Sequence, residues 1–264
     1  MKFAFFFVLL FVTIENMNKI ELFPDERIDQ MGTSQVQIIQ SREVFSFSLD
    51  AILLSRFPRL PKQGLIVDMC AGNGAVGLFA SEKTKAKIVA IELQERLASM
   101  TARSIQLNGL GDQMSVIADN LKNALEHLAP SSTDLIFCNP PYFKVAEGSH
   151  VNDNTHYTLA RHELATNLDE IFDTSRKLLK TNGHLALVHR PERFFEIADK
   201  LRAYNLQPKW IQFVYPKAHQ PANILLIDAI KDGKSGGEIF LPPLIVHKED
   251  NSYTDEVNEI YFNH

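Results

Sequence analysis

The run Asn139-Pro140-Pro141-Tyr142 follows directly on a strand-like segment, Asp134 to Cys138. Two prolines remove two backbone donors and stiffen the turn. What remains is directional: the Asn139 side-chain carbonyl and the Pro140 backbone carbonyl are acceptors that can converge on one NH2 group, and Tyr142 offers a ring face to a planar substrate. An exocyclic amine or amide nitrogen is a poor nucleophile because its lone pair is delocalised. Two acceptors on its hydrogens favour the pyramidal form that attacks. Holding that nitrogen in line with an electrophile is catalysis by positioning, worth up to roughly 7–11 kcal/mol in favourable cases, and it requires no metal.

The electrophile is suggested by a second cluster. Asp68-Met69-Cys70-Ala71-Gly72-Asn73-Gly74-Ala75-Val76-Gly77 leads from a strand into a helix, and Gly72-x-Gly74-x-x-Gly77 has the spacing of a dinucleotide fingerprint. A pyrophosphate would be repelled by Asp68, which opens the loop, whereas a cationic ligand would not. S-adenosylmethionine carries an ammonium and a sulfonium, so Asp68 can hold or organise its methionine end, while Glu92 at the end of the next strand accepts both ribose hydroxyls. Cys70, Gly72, Asn73 and Gly74 complete the expected cofactor loop. Asp119 and Asn120 end a third strand, where they either meet the adenine edge of the cofactor or cap the segment that starts at Leu121.

These groups need a scaffold that brings strand ends together. From Gly64 onward, short apolar runs alternate with helix-period segments, the pattern of a doubly wound, Rossmann-like α/β fold with a mostly parallel sheet. Strands are expected at Leu65 to Asp68, Lys87 to Glu92, Met114 to Ala118, Asp134 to Cys138 and His184 to His189. Leu93, Leu97, Met100, Ser104 and Leu107 trace one buried helical stripe. A second helix spans about Leu168 to Lys180, with a stop at Asn182-Gly183, and a third opens at Pro191. Trp210 to Tyr215 and Asn223 to Ile230 have no room for a helix between them and should pair as a C-terminal antiparallel hairpin that gives the sheet a reversed edge strand. The expected divisions are an apolar extension (1–16), a helical cap (17–60) with its main helix at Phe47 to Phe57, a catalytic domain (61–248) and a loosely attached acidic tail (249–264).

Asp68-x-x-x-Gly72-x-Gly74, Glu92, Asp119 and Asn139-Pro140-Pro141-Tyr142, in this order at strand ends, resemble the class I S-adenosylmethionine-dependent methyltransferases that modify planar amino groups. Cys70 stands where many such proteins have glycine. Within that superfamily the chain is most similar to the bacterial methyltransferases acting on the exocyclic amine of the adenine beside the anticodon of valine tRNA. The stretches that carry this likeness are Phe45-Ser46-Phe47-Ser48-Leu49-Asp50-Ala51, Asp68 to Gly74, Asn139-Pro140-Pro141-Tyr142-Phe143, Ala160-Arg161-His162-Glu163 and Ala222-Asn223. The resemblance implies catalysis by Asn139, Pro140 and Tyr142, a tRNA substrate, and a helix bearing Asp50 that closes over the cofactor, unless Asp50 is a surface residue of an amphipathic helix. Competing readings are a glutamine-amide methyltransferase of release factors, an adenine methyltransferase of DNA or rRNA, an NAD-dependent oxidoreductase and a non-enzymatic RNA-binding module. The oxidoreductase accounts for neither Asp68 nor the tetrapeptide, and the binding module leaves the acceptor pair without purpose.

Composition narrows the classes further. At 264 residues, 45% hydrophobic and 22% charged, the chain is neither a disulfide miniprotein nor disordered, and its two cysteines suit a reducing, cytoplasmic setting. The net charge of -5 excludes a generally basic coat, yet residues 171–234 hold eleven Lys/Arg against six Asp/Glu. Arg190, Arg193, Lys209 and Lys217 are either phosphate contacts or ordinary solvated cations. Phe3 to Ile14 is short for a membrane span and reads as a dispensable extension in preference to an anchor, so no membrane partner is expected, nor is an obligate protein partner. His150, His156 and His162 are six apart, which is not zinc spacing, and no metal is expected. Arg161-His162-Glu163 either contacts RNA or folds the 143–163 loop, itself a substrate loop or a plain excursion.

Overall fold

The computed structural model describes residues 20–30, 36–44, 47–141 and 167–262. Phe3 to Ile14, Phe45-Ser46, Tyr142-Phe143, the three spaced histidines and Ala160 to Glu163 lie outside the described residues. In chain order the elements are β1 (Glu26–Gln30), β2 (Gln37–Ser41), α1 (Leu49–Arg56), β3 (Leu65–Met69), α2 (Ala75–Ser81), β4 (Lys87–Glu92), α3 (Glu95–Leu107) and β5 (Met114–Ala118). There follow α4 (Ala124–His127), β6 (Thr133–Cys138), α5 (Leu168–Leu178), β7 (Leu179–His189), α6 (Phe194–Ala203), β8 (Leu206–Tyr215), β9 (Ile224–Lys231), β10 (Ile239–Phe240), β11 (Leu244–Ile245) and α7 (Asp255–Phe262).

The main sheet runs in the order β10-β8-β9-β7-β6-β3-β4-β5, with β11 also on β8. β3 to β7 are mutually parallel, so their carboxyl ends share one edge. Strands buried on both faces read as continuous apolar runs, which is why β3 and β6 were legible. Successive residues serve opposite layers: Ile66, Leu135 and Ala186 pack with α1 and α2, whereas Val67, Ile136 and Leu187 pack with α5 and α6. That is the expected doubly wound architecture.

Four expectations need correction. The reversed strand is interior, because β9 lies between β7 and β8 and is antiparallel to both. Ile224 to Ala229 are all buried there, so six apolar or paired side chains reward a central position that an edge would waste. Asn182-Gly183 is no helix stop: α5 ends at Leu178, and Asn182, at φ 63, bends the long strand β7 beside a register shift against β6. Leu93 precedes α3 and is exposed, outside the buried stripe of Leu97, Met100 and Ser104. The acidic tail is docked, with Val257 fully buried and Tyr253 stacked between His247 and Tyr261.

The cap also differs, since β1 and β2 form an antiparallel pair ahead of the expected helix. Ile38 and Ile39 are both fully buried, so the strand serves two packed layers without the alternation that marks a half-exposed one. α3 holds this pair through side chains. Ser104 Oγ accepts the Ile39 N–H at 3.0 Å, and Asn108 accepts from Gln37 N at 2.8 Å while its Nδ2 donates to Gln37 O at 2.6 Å. Asn108 therefore does for Gln37 what a neighbouring strand residue would do. Asn108→Asp keeps the acceptor but sets a carboxylate against the Gln37 carbonyl, and a loss of about 1–3 kcal/mol is expected. Urea titration measures it, and faster hydrogen exchange at the Gln37 and Ile39 amides would locate the damage.

Candidate active site at the carboxyl edge

Register brings the predicted residues together. Glu92 pairs with Ala118, so Asp119 follows beside it, and its N–H donates to the Glu92 carbonyl at 3.0 Å. Met69 pairs with Cys138, which places the start of the glycine loop next to Asn139. Asn139 is half-buried and Pro140 buried at this junction, while Tyr142 lies outside the described residues.

The loop turns tightly: Cys70, Gly72 and Gly74 all have left-handed backbones, at φ 57, 59 and 82. Gly74 has a second constraint, because a Cβ there would lie 2.7 Å from Thr101 Cγ2. Cys70 adopts a conformation that glycine takes at lower cost, so its side chain is tolerated there against intrinsic preference. Thr101 Oγ1 donates to the Gly72 carbonyl at 3.0 Å, a positioning contact from α3 that loop motifs alone do not reveal, although Thr101 lies four residues after Leu97 on the buried stripe.

Two carboxylates fix the loop from below. Asp68 is fully buried, and its Oδ2 accepts the Gly77 N–H at 3.0 Å. Its Oδ1 is buried with no hydrogen-bond partner among the described residues. Burial pushes Asp68 up to about 7, opposed by the Gly77 bond, with the nearby Glu92 charge adding to the rise. Glu92 is 4% exposed; it accepts from Gly72 N at 2.8 Å and Gln94 N at 2.9 Å, and burial holds it above the usual carboxylate range.

Other predicted residues have more local roles. Asn73 is buried and donates to the Ile39 carbonyl at 3.2 Å, joining the loop to the cap. Asn120 caps the 3-10 turn Leu121–Asn123 by accepting the Lys122 N–H, which realises the capping alternative. Asp119 contacts His127 Nε2 at 2.7 Å and accepts from Asn123 Nδ2 at 2.9 Å, and these bonds hold its carboxyl below the usual range. Asp50, in the first turn of α1, is 8% exposed and so is not the surface residue of the other alternative. Phe47 packs edge-on against Phe79, fastening α1 to α2 beside the loop.

The Methyltransferase small domain model matches residues 35–204. The chain belongs to this family. It is 28% identical over 160 residues to a tRNA1(Val) (adenine(37)-N6)-methyltransferase of Shewanella halifaxensis, covering 61% of this chain and 64% of that protein. A protein of the same description from Shewanella sp. (strain MR-4) is 24% identical over 218 residues, 81% of this chain and 89% of the relative. Among solved structures, a predicted O-methyltransferase from Agrobacterium tumefaciens superposes with a TM-score of 0.65 at 21% identity, covering 81% of this chain and 95% of its own, which is a likeness of fold.

As a methyltransferase of this family the protein draws its methyl group from S-adenosylmethionine. The site suits that donor. The unpartnered Asp68 oxygen favours a nearby positive charge, and a carboxylate's several lone pairs leave Glu92 capacity for a hydroxyl beyond its bonds to Gly72 and Gln94. Among the described residues no group of three or more His, Cys, Asp or Glu is placed to hold a metal, and no helix is long and apolar enough to cross a membrane.

Asp68 sets a pH dependence. Its folded value lies above the 3.8 of a free side chain, so the folded state binds the proton more tightly between about pH 4 and 7, and this group's contribution to stability falls as pH rises through that window. Asp68→Asn retains an oxygen for Gly77 while removing the charge. At pH 8 it is expected to be about 2–4 kcal/mol more stable than the wild type, with little difference at pH 4.5. Urea unfolding at both pH values checks this.

Proposed function

We propose that the protein methylates the exocyclic amine of an adenine in a tRNA anticodon loop. The observation that carries this reading is the β3–β6 register, which sets the glycine loop and Asn139-Pro140 side by side at one sheet edge. The names of the relatives from two Shewanella strains give the substrate class.

Bound S-adenosylmethionine supplies an electrophilic methyl group on a sulfonium. In this reading the Glu92 carboxylate, oriented by the Gly72 and Gln94 amides, accepts the ribose hydroxyls. Asp68 answers the charge of the methionine end through the loop it organises. Asn139 and Pro140 accept hydrogen bonds from the target NH2, drawing its lone pair out of conjugation as the nitrogen attacks. Pro140 is buried and β6 is packed on both faces, so these acceptors are held rather than recruited. Tyr142 is proposed to stack on the base. A loop adenine is already unpaired, whereas a duplex base would first cost a few kcal/mol to extract.

Asn139→Ala should lower kcat at least about 100-fold, the scale of losing one preorganised polar contact to a transition state, while the cofactor Kd from calorimetry stays within about threefold. Near-normal turnover would refute the acceptor role. The substrate is tested by incubating labelled S-adenosylmethionine separately with unmodified total tRNA, DNA and a release factor, followed by mass spectrometry of the product. N6-methyladenosine from tRNA is expected; label confined to release-factor glutamine, or to DNA, would reject the tRNA assignment.

A further inference from the structure

Phe195 is 80% exposed and Phe240 59% exposed, although most large apolar side chains among the described residues are at least partly buried. They are not scattered. Phe194 packs edge-on against Phe195 at 5.4 Å, Phe213 at 5.7 Å and Phe240 at 6.2 Å, forming a four-ring group supported from below by the layer that includes Ile197 and Ile211. Edge-to-face contacts stabilise this arrangement of the rings. A contiguous exposed apolar surface marks a binding surface more often than an isolated residue does.

Topology puts this surface on the catalytic edge. β7 is parallel to β6, with Cys138 beside Leu187, so the start of α6 lies just beyond the ends of the strands that carry Asn139. Phe213 and His189 both pair with Leu225, which places the ring group three strand spacings from β6, roughly 14 Å. From Arg190 to Lys217 the chain has six Lys/Arg against three Asp/Glu in a protein of net charge -5. Arg193 is neutralised by Glu196 through two bonds. Arg190 donates to the Asn223 carbonyl at 2.8 Å, and Lys217 donates to the Glu249 carbonyl at 3.1 Å with no carboxylate in ion-pair range among the described residues. Exposed aromatic faces on the same sheet edge as the transfer point, within a segment of net positive charge, suit a single-stranded nucleic acid surface.

We propose that Phe195 and Phe240, supported by Phe194 and Phe213, form the surface on which unpaired substrate-RNA bases flanking the target stack. This rests on the RNA reading above. It assigns RNA affinity to a region separate from cofactor and acceptor groups.

The test uses the full chain with an unmodified tRNA transcript. Phe195→Ala should raise KM for tRNA about 5- to 100-fold, the range for losing one base stack, with cofactor Kd unchanged and kcat at saturating tRNA altered far less. Phe195→Trp should remain near wild type and Phe195→Leu should resemble the alanine variant, because leucine restores apolar bulk without a ring face. Phe240→Ala should show a similar KM effect. Unchanged KM in both alanine variants, or leucine performing as well as tryptophan, overturns the proposal. So does light scattering that shows a wild-type dimer dissociated by Phe195→Ala. A wild-type enzyme that methylates no tRNA removes the RNA reading and this surface together; tRNA methylation with a KM indifferent to Phe195 removes the surface alone.

Discussion

The Asp68 carboxylate, sealed from water and bonded to the Gly77 amide, is the contact on which the edge of the sheet is organised. It ties the end of β3 to the first turn of α2 and so closes the loop between them. Glycine at 77 suits this, since a Cβ there would lie 2.7 Å from Met114 Cε and 3.2 Å from Ile88 Cγ2. The helix therefore approaches the sheet closely enough for its amide to meet Asp68. Glu92 repeats the device one strand away by holding Gly72 N. Both carboxylates are raised by burial, so the folded chain carries an electrostatic cost that a cationic ligand above the loop would relieve. A site preformed in this way gains ligand selectivity and gives up stability.

Much of this was legible from sequence because it follows from burial on both faces of parallel strands. β4 and β5 have the expected boundaries, and β3 and β6 differ by one residue each, since runs such as Lys87 to Glu92 have few competing conformations. The misses involve relations between distant segments. Nothing local in Ile38-Ile39 shows that α3 will supply Ser104 and Asn108 as substitutes for a third strand. Nothing in the order of β8 and β9 shows that the chain passes over one position and returns to fill it. Nothing local in Asn73 shows that its side chain will donate to the Ile39 carbonyl of the cap as well as sit in the glycine loop.

The edge divides at β3. On one side, β4 and β5 present Glu92 and Asp119; on the other, β6, β7 and β8 lead from Asn139 to the phenylalanine group. Open α/β sheets bind ligands where chain connections diverge to the two sides, and this strand is that point. The N-terminal cap contributes through packing: the Asn73 bond to Ile39 O and the Phe47–Phe79 contact join it to the loop and to α2. Proper placement of the loop thus draws on β2, α1, α2 and α3 together, which makes it less sensitive to any single contact than a free loop would be.

Methyl transfer demands that nitrogen, carbon and sulfur lie nearly in line, so the separation between the two halves of the edge must be fixed by something stiffer than loops. The β3–β6 ladder is suited to that task. Its four register pairs, Ile66 with Leu135 through Met69 with Cys138, put alternate side chains into two different cores. A slip of one residue would move every one of these side chains into the wrong layer. The cost of slippage is therefore charged to the whole interior, while its benefit accrues at Asn139, the first residue after the ladder. Proline at 140 and 141 extends that rigidity past the end of the ladder by restricting the backbone, so the precision of the sheet carries on to the proposed acceptors at Asn139 and Pro140.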